Sequence, residues 1–436
     1  VKFYSTRDPS KRVSFEQALF QGLAPDGGLY IPEEDLQLQT HFKALDKGTS
    51  FHEIAALVSA YLLKGEVDGG AVHRIVKNAF PFEPKLVVMD DNLSIVELFH
   101  GPSCAFKDFG ASFLAAAMEE FLQHSDRKAV ILTATSGDTG SAVAQAFYNK
   151  KNIQVVILYP SGRVSPLQEK QLTTLGGNVL ALEVKGSFDD CQAMVKKAFL
   201  DPEMSAAFPL TSANSISLGR LIPQSFYYIW AFAQLKEQLN QEFYFAVPSG
   251  NFGNLTAGLY AWKWGLPVTA FIAATNANDV VPQYLDTGIY SPRPSRLTVS
   301  NAMDVGNPSN FERMEALFHK NRHLMRALVF GDTVSDPQTL DTMRTVKDRY
   351  NMDLCPHTAV GYAAARRFLR DNNSAGHVAV LATAHPAKFL EVVEQATGRT
   401  PELPPQLAGL ASKEKQSIVI SNTPADLFKT LKDVLL

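Results

Sequence analysis

Short apolar runs alternating with helical patterns constrain this chain more than any other feature. AVILT (129–133), IQVVILY (153–159) and NVLALEV (178–184) are uniformly apolar, as in strands buried on both faces. Between them, SAVAQAFYNK, SPLQEKQLTTL and DDCQAMVKKAFL carry the spacing of amphipathic helices. EFYFAVP (242–248), VTAFIAAT (268–275) and HVAVLAT (377–383) continue the rhythm. Strand, helix and strand in succession require crossovers, and hence parallel sheets covered by helices.

The expected fold class is therefore α/β, with two doubly wound parallel-sheet domains and a ligand cleft between them. The helical stretch near 218–239 separates the two groups of strands. Residues 1–92 read as a mainly helical lead-in, residues 93–225 as the first α/β domain and residues 226–436 as the second. SPRPSRLTVSNAMDVGNPSNFERM, rich in Pro, Ser and Asn, reads as a long functional loop.

Composition removes several function classes. The 436 residues carry 41 basic and 44 acidic side chains, a formal charge of -3, so no broad cationic field exists to hold nucleic acid or anionic lipid. No apolar run approaches a membrane span, and the first residues lack a signal-peptide core. Cys104, Cys191 and Cys355 are odd in number and far apart, which argues against a disulfide framework or a zinc site. A cytoplasmic protein without metal is expected.

Four segments could carry chemistry. PSGNFGNLTAGL (248–259) follows a strand and enters a helix; Gly250 and Gly253 allow successive N–H groups to converge on an anion at the helix start. It is neither a Walker motif nor a full dinucleotide fingerprint, and a plain strand-to-helix turn fits the same letters. TATSGDTGSAV (133–143) offers a second anion site with hydroxyls at Ser136 and Thr139 flanking Gly137; helix capping by Asp138 or Thr139 is the simpler alternative. NSISLGRL (214–221) places Asn214, Ser215 and Arg220 before an apolar helix. Arg220 suits an oxyanion, although a lone arginine there is commonly a solvated surface residue.

The fourth is ELFHGPSCAFKDFG (97–110), with Lys107 between Phe106 and Phe109. A lysine in apolar surroundings loses its proton more easily, and the neutral amine can form a Schiff base with an aldehyde. Pyridoxal phosphate is the matching cofactor. It requires a phosphate cradle, a partner for its ring nitrogen and a site for the substrate carboxylate. Thr383, at the end of HVAVLAT, offers an uncharged ring-nitrogen partner. Snorkelling of Lys107 and turn capping by Thr383 are the structural alternatives.

With these motifs assembled, the chain resembles the threonine synthase family of fold-type II (tryptophan synthase β-like) pyridoxal-phosphate enzymes. The resemblance extends through VSFEQALFQGLAPDGGLYIPEE, ILYPSGRVSPLQEKQ, FIAATNANDVVP, NAMDVGNPSNFERM and TAHPAKF. It implies conversion of O-phospho-L-homoserine and water to L-threonine and phosphate, by a monomer or homodimer. It implies that Lys107 holds the cofactor and moves protons. Gly250, Asn251, Phe252, Gly253 and Asn254 would bind the cofactor phosphate, and Thr383 its ring nitrogen. Ser136, Gly137, Asp138 and Thr139 would grip the substrate carboxylate, and Asn214, Ser215 and Arg220 would surround the substrate phosphate. Asp138 stands where many fold-type II relatives carry asparagine, so the partner of the cofactor's phenolic oxygen stays open. A phospholyase or serine/threonine dehydratase would share these loops but release ammonia. A binder without turnover would not need Lys107.

Overall fold

A computed structural model describes residues 1–123, 126–135, 137–239 and 242–435. Eleven strands form two main sheets. The first has the order Ile418–Ser421, Val179–Lys185, Ile153–Pro160, Ala129–Ala134, Leu210–Thr211, and every neighbouring pair is parallel. The second runs Val329–Thr333, Ala270–Thr275, Phe243–Pro248, His377–Ala382, Leu93–Glu97, Lys85–Asp90. Its pairs are parallel except the last, a hairpin. Its three central strands are buried along their whole length, which is why their sequences lack a polar face. The edge strand Lys85–Asp90 lies partly in solvent, with Val88 53% exposed.

The α/β expectation and its strands are found in the structure, but the linear division into 1–92, 93–225 and 226–436 is not. The boundary at 92 cuts the hairpin Lys85–Asp90/Leu93–Glu97, and Leu93–Glu97 pairs with His377–Ala382 far along the chain. In return, Ile418–Ser421 adds to the sheet of the first half. Apolar patterning reports that a strand is buried but carries no label for its neighbour, so sheet membership escaped the sequence.

Residues 1–92 are mainly helical, through Phe15–Gln21, Gln39–Ala44, Phe51–Leu62 and Gly69–Ala79, yet they are not a detached lead-in. Capping boxes at Ser14 and Ser50 start two of these helices. Phe51 and Phe80 then pack edge-on and tilted against Phe109, with centroids at 5.2 and 6.0 Å. Phe109 in turn meets Tyr227 at 5.5 Å. Phe109 lies on the helix Lys107–Leu122 and Tyr227 on Ser225–Leu235, both buried almost all round. The helix that begins at Lys107 is thereby clamped from both sides.

The Pro/Ser/Asn-rich segment is irregular up to Asn310 apart from one turn of 3₁₀ helix at Asn301–Met303, but its last four residues, expected as loop, begin the helix Phe311–Leu317. No helix among the described residues is long and apolar enough to cross a membrane.

Candidate active site

Three adjacent strands of the six-stranded sheet deliver the site. Phe243–Pro248 pairs with His377–Ala382, which pairs with Leu93–Glu97, all parallel. Their carboxyl ends therefore open on the same edge, the usual place for ligands in such sheets. The first leads into Gly250–Asn254, the second into Thr383, and the third into the loop before Lys107. Ala129–Ala134 of the other sheet ends at the TSGDTG turn.

Lys107 and Thr383 are joined through backbone. The Phe106 amide donates to the Thr383 carbonyl at 2.8 Å, the His385 amide donates to the Cys104 carbonyl at 3.0 Å, and Ala105 bridges Ala384. Neither the Lys107 ammonium nor the Thr383 hydroxyl is hydrogen-bonded to a described residue. Thr383 does not cap the following turn; His385 does, accepting from the Ala387 amide at 3.1 Å. Lys107 Nζ lies 5.8 Å from the Phe106 ring centroid. Burial lowers its pKa, the Arg220 and Lys388 charges act in the same direction, and Asp138 opposes them.

The loop after Phe243–Pro248 forms an amide cradle. Phe252 adopts a left-handed conformation with φ 59°, and the helix Gly253–Lys263 starts immediately after it. None of the five amides from Gly250 to Asn254 donates to a described residue. A Cβ at Gly250 would stand 2.7 Å from Met303 Cα, so only glycine permits this approach of two backbones. Asn254 braces the loop by donating to the Pro248 carbonyl at 2.9 Å. Asn251 donates to Ser215 Oγ at 2.6 Å and accepts from the Ser309 amide at 2.5 Å. The cradle thus meets both the NSISLGR segment and the long loop.

Of the remaining candidates, Asn214 accepts from Thr133 Oγ1 at 2.8 Å. Arg220 is no surface residue: it is 3% exposed, and burial pulls its pKa down to about 10. Its Nη1 donates to the Ala213 carbonyl at 2.7 Å, while Nε is buried without a partner. Gly137 precedes the helix Asp138–Phe147 and has no side chain to cap it; Thr135 Oγ1 accepts instead from the Gly140 amide at 2.9 Å. Asp138 and Thr139, its first residues, leave their amides free of described acceptors. Ser136 lies outside the described residues.

Sequence reasoning missed several neighbours. Lys388 is fully buried and pairs with Asp138 Oδ1 at 2.8 Å. Gln168 Nε2 donates to the same oxygen at 3.0 Å. Burial alone would raise the Asp138 carboxyl, but Lys388, Lys107 and these hydrogen bonds outweigh it and hold the pKa low. Asp108 is buried with only Oδ2 satisfied, by the Ser103 amide at 2.9 Å, and burial pushes its pKa up to about 6. His357 accepts from the Ala302 amide at 3.0 Å, and burial lowers its pKa to about 4, so its ring is neutral. Arg313 donates to Tyr30 O at 3.0 Å, Ile216 O at 2.7 Å and Asn310 Oδ1 at 2.7 Å. The one legible signal was TAHPAKF, which sets Lys388 among apolar residues as ELFHGPSCAFKDFG sets Lys107.

These residues fit pyridoxal phosphate. The amide cradle offers five donors and no carboxylate to an anion, the Lys107 amine of lowered pKa has no described hydrogen-bond partner, and the segment before it is bonded through backbone to Thr383, which carries an uncharged hydroxyl.

Comparison with known proteins points the same way. Residues 92–384 match the pyridoxal-phosphate dependent enzyme family model. Residues 2–80 match the threonine synthase N terminus and residues 358–431 the threonine synthase C-terminal model. The chain is 44% identical to threonine synthase of Haemophilus influenzae over 100% of both chains. It is 43% identical to that of Escherichia coli over 100% of this chain and 99% of the relative. The crystal structure of threonine synthase from Escherichia coli superposes with TM-score 0.89 at 42% identity, covering 99% of this chain and 100% of that one. The PLP-bound threonine synthase from Brucella melitensis gives 0.92 at 36%, covering 99% of each. A site built on three neighbouring strand ends and a likeness that runs from end to end lead to one assignment: the chain belongs to the threonine synthase family of pyridoxal-phosphate-dependent enzymes.

Proposed function

We propose that this chain converts O-phospho-L-homoserine and water into L-threonine and phosphate, in the cytoplasm, as a monomer or homodimer with no nucleic-acid partner. The observation that carries this reading is the meeting of Lys107, Thr383 and the amide cradle on adjacent strand ends.

When bound, pyridoxal phosphate supplies an electron sink that acidifies the carbon-bound protons of an attached amino acid. The chain's own residues do the rest. Lys107 would hold the cofactor and would carry protons at the α and β carbons of the substrate. Gly250, Asn251, Phe252, Gly253 and Asn254 hold the cofactor phosphate with backbone N–H groups and the helix start. Thr383 meets the ring nitrogen with a hydroxyl, which does not force protonation as a carboxylate would.

The amides of Asp138 and Thr139, beside Gly137 and Ser136, receive the substrate carboxylate at a helix N-terminus. The Asp138 side chain is engaged by Lys388 and Gln168, so this loop serves through backbone. Asn214, Ser215 and Arg220 take the substrate phosphate, with Arg220 neutralising the departing anion. Fixed donors of this kind contribute about 10² to 10³ in rate each.

The test is product stoichiometry. Purified enzyme given O-phospho-L-homoserine should release threonine and phosphate one for one; ammonia and a 2-oxo acid would instead establish a lyase.

A further inference from the structure

Asp138 is a buried carboxylate with two candidate ammonium partners, and the structure shows which one has it. Lys388 Nζ sits 2.8 Å from Asp138 Oδ1 and donates to the Ser103 carbonyl at 2.6 Å. Lys107 lies close enough to sense the same carboxylate but forms no ion pair with it. Lys388 is also held in place. It belongs to the 3₁₀ turn Pro386–Phe389, capped by His385, directly after the segment in which Ala384 bridges Ala105. The cation that occupies Asp138 and the amine that must be free are therefore mounted on one joined piece of backbone.

We propose that Lys388 is a positioning residue: by occupying Asp138 it keeps this carboxylate from capturing the Lys107 ammonium, and so leaves the Lys107 amine able to attach an aldehyde. For attachment, the Lys107 ammonium gives one proton to solvent, its nitrogen lone pair bonds to the aldehyde carbon, and the aldehyde oxygen leaves as water with the nitrogen's two remaining protons. A buried carboxylate deprived of its cation is left uncompensated, and Lys107 is the other cation whose charge acts on Asp138. The other groups facing Lys107 do not replace Lys388. Arg220 is cationic but donates to the Ala213 carbonyl. His357 is neutral, and Asp108 is turned toward the Ser103 amide.

The inference rests on Lys107 as the attachment lysine, and its test reads attachment rather than turnover. The full chain, freed of cofactor with hydroxylamine, is mixed with pyridoxal phosphate, and the recombination rate is followed by absorbance from pH 6 to 10. The product is reduced with borohydride and its labelled peptide mapped. In Lys388→Met the rate profile should shift to higher pH by about one unit, so recombination at neutral pH slows about tenfold. Asp138→Asn alone should shift it the other way, and the double variant K388M/D138N should lose the upward shift. Should Lys388→Met fail to fold, Asp138→Asn still decides.

An unmoved profile in either single variant, or a double variant that stays shifted upward, overturns the proposal while the label on Lys107 stands. A label on another lysine overturns the site assignment itself, and this inference with it.

Discussion

The Phe106 amide donates to the Thr383 carbonyl at 2.8 Å, so the lysine one residue later and the threonine at the strand end are held in one register. A shift of either segment breaks this bond, so the backbone fixes where the two side chains start relative to each other.

Lys107→Ala should fold and still bind pyridoxal phosphate weakly through the amide cradle, but lose turnover by at least about 10² to 10⁴, the usual contribution of a positioned proton-transfer group. Steady-state threonine release, with circular dichroism as the folding control, checks this. Full activity would remove Lys107 from the mechanism.

Arg220→Met should lower kcat/KM by about 10² to 10³ while leaving the cofactor's absorbance in place, since the guanidinium is assigned to the substrate phosphate. Loss of the chromophore together with activity would instead make Arg220 a structural support of the helix Leu218–Leu221.

Asp108 makes stability depend on pH. Burial raises its pKa to about 6 from an ordinary value near 3.8, so the folded state holds a proton that the unfolded chain has released. Between these values the native state binds more protons, and stability falls as pH rises. From pH 4 to 7 the protein should lose about 1 to 3 kcal/mol relative to Asp108→Asn, whose side chain does not titrate. Urea unfolding of both proteins at the two pH values measures the difference; parallel curves would refute it.

Arg313→Met should destabilise the protein by about 2 to 5 kcal/mol, because two buried acceptors and one half-buried acceptor lose a charged donor. Its bonds link Tyr30 and Ile216 to Asn310, which donates to the Ser215 carbonyl at 3.4 Å. KM for the phosphorylated substrate should therefore rise in the surviving folded enzyme. An unchanged KM would show that the N-terminal region supports stability alone.

A cavity-free contact offers a cleaner steric test. A Cβ on Gly110 would lie 2.3 Å from the Arg220 carbonyl, so Gly110→Ala must push two buried helices apart. It should lower stability by about 1 to 3 kcal/mol, read from the denaturant midpoint.

The strands, the helices between them and the three anion-suited turns were legible because burial on both faces leaves uniformly apolar runs, and turns need glycine, serine and threonine. Lys107 was legible for a related reason: a charged residue among aromatics contradicts its surroundings and asks for a use. Sheet membership was not legible. Leu93–Glu97 reads like any other buried strand, and only packing seats it beside His377–Ala382. The same limit hid Lys388, Gln168 and Arg313. Their partners are Asp138, Tyr30 and Ile216, residues far away in sequence, and a hydrogen bond leaves no periodicity. Local physics thus determined the elements and singled out Lys107 as the candidate amine from the sequence alone. The tertiary structure decided which cation Asp138 holds, because that choice depends on distances between separate strand ends.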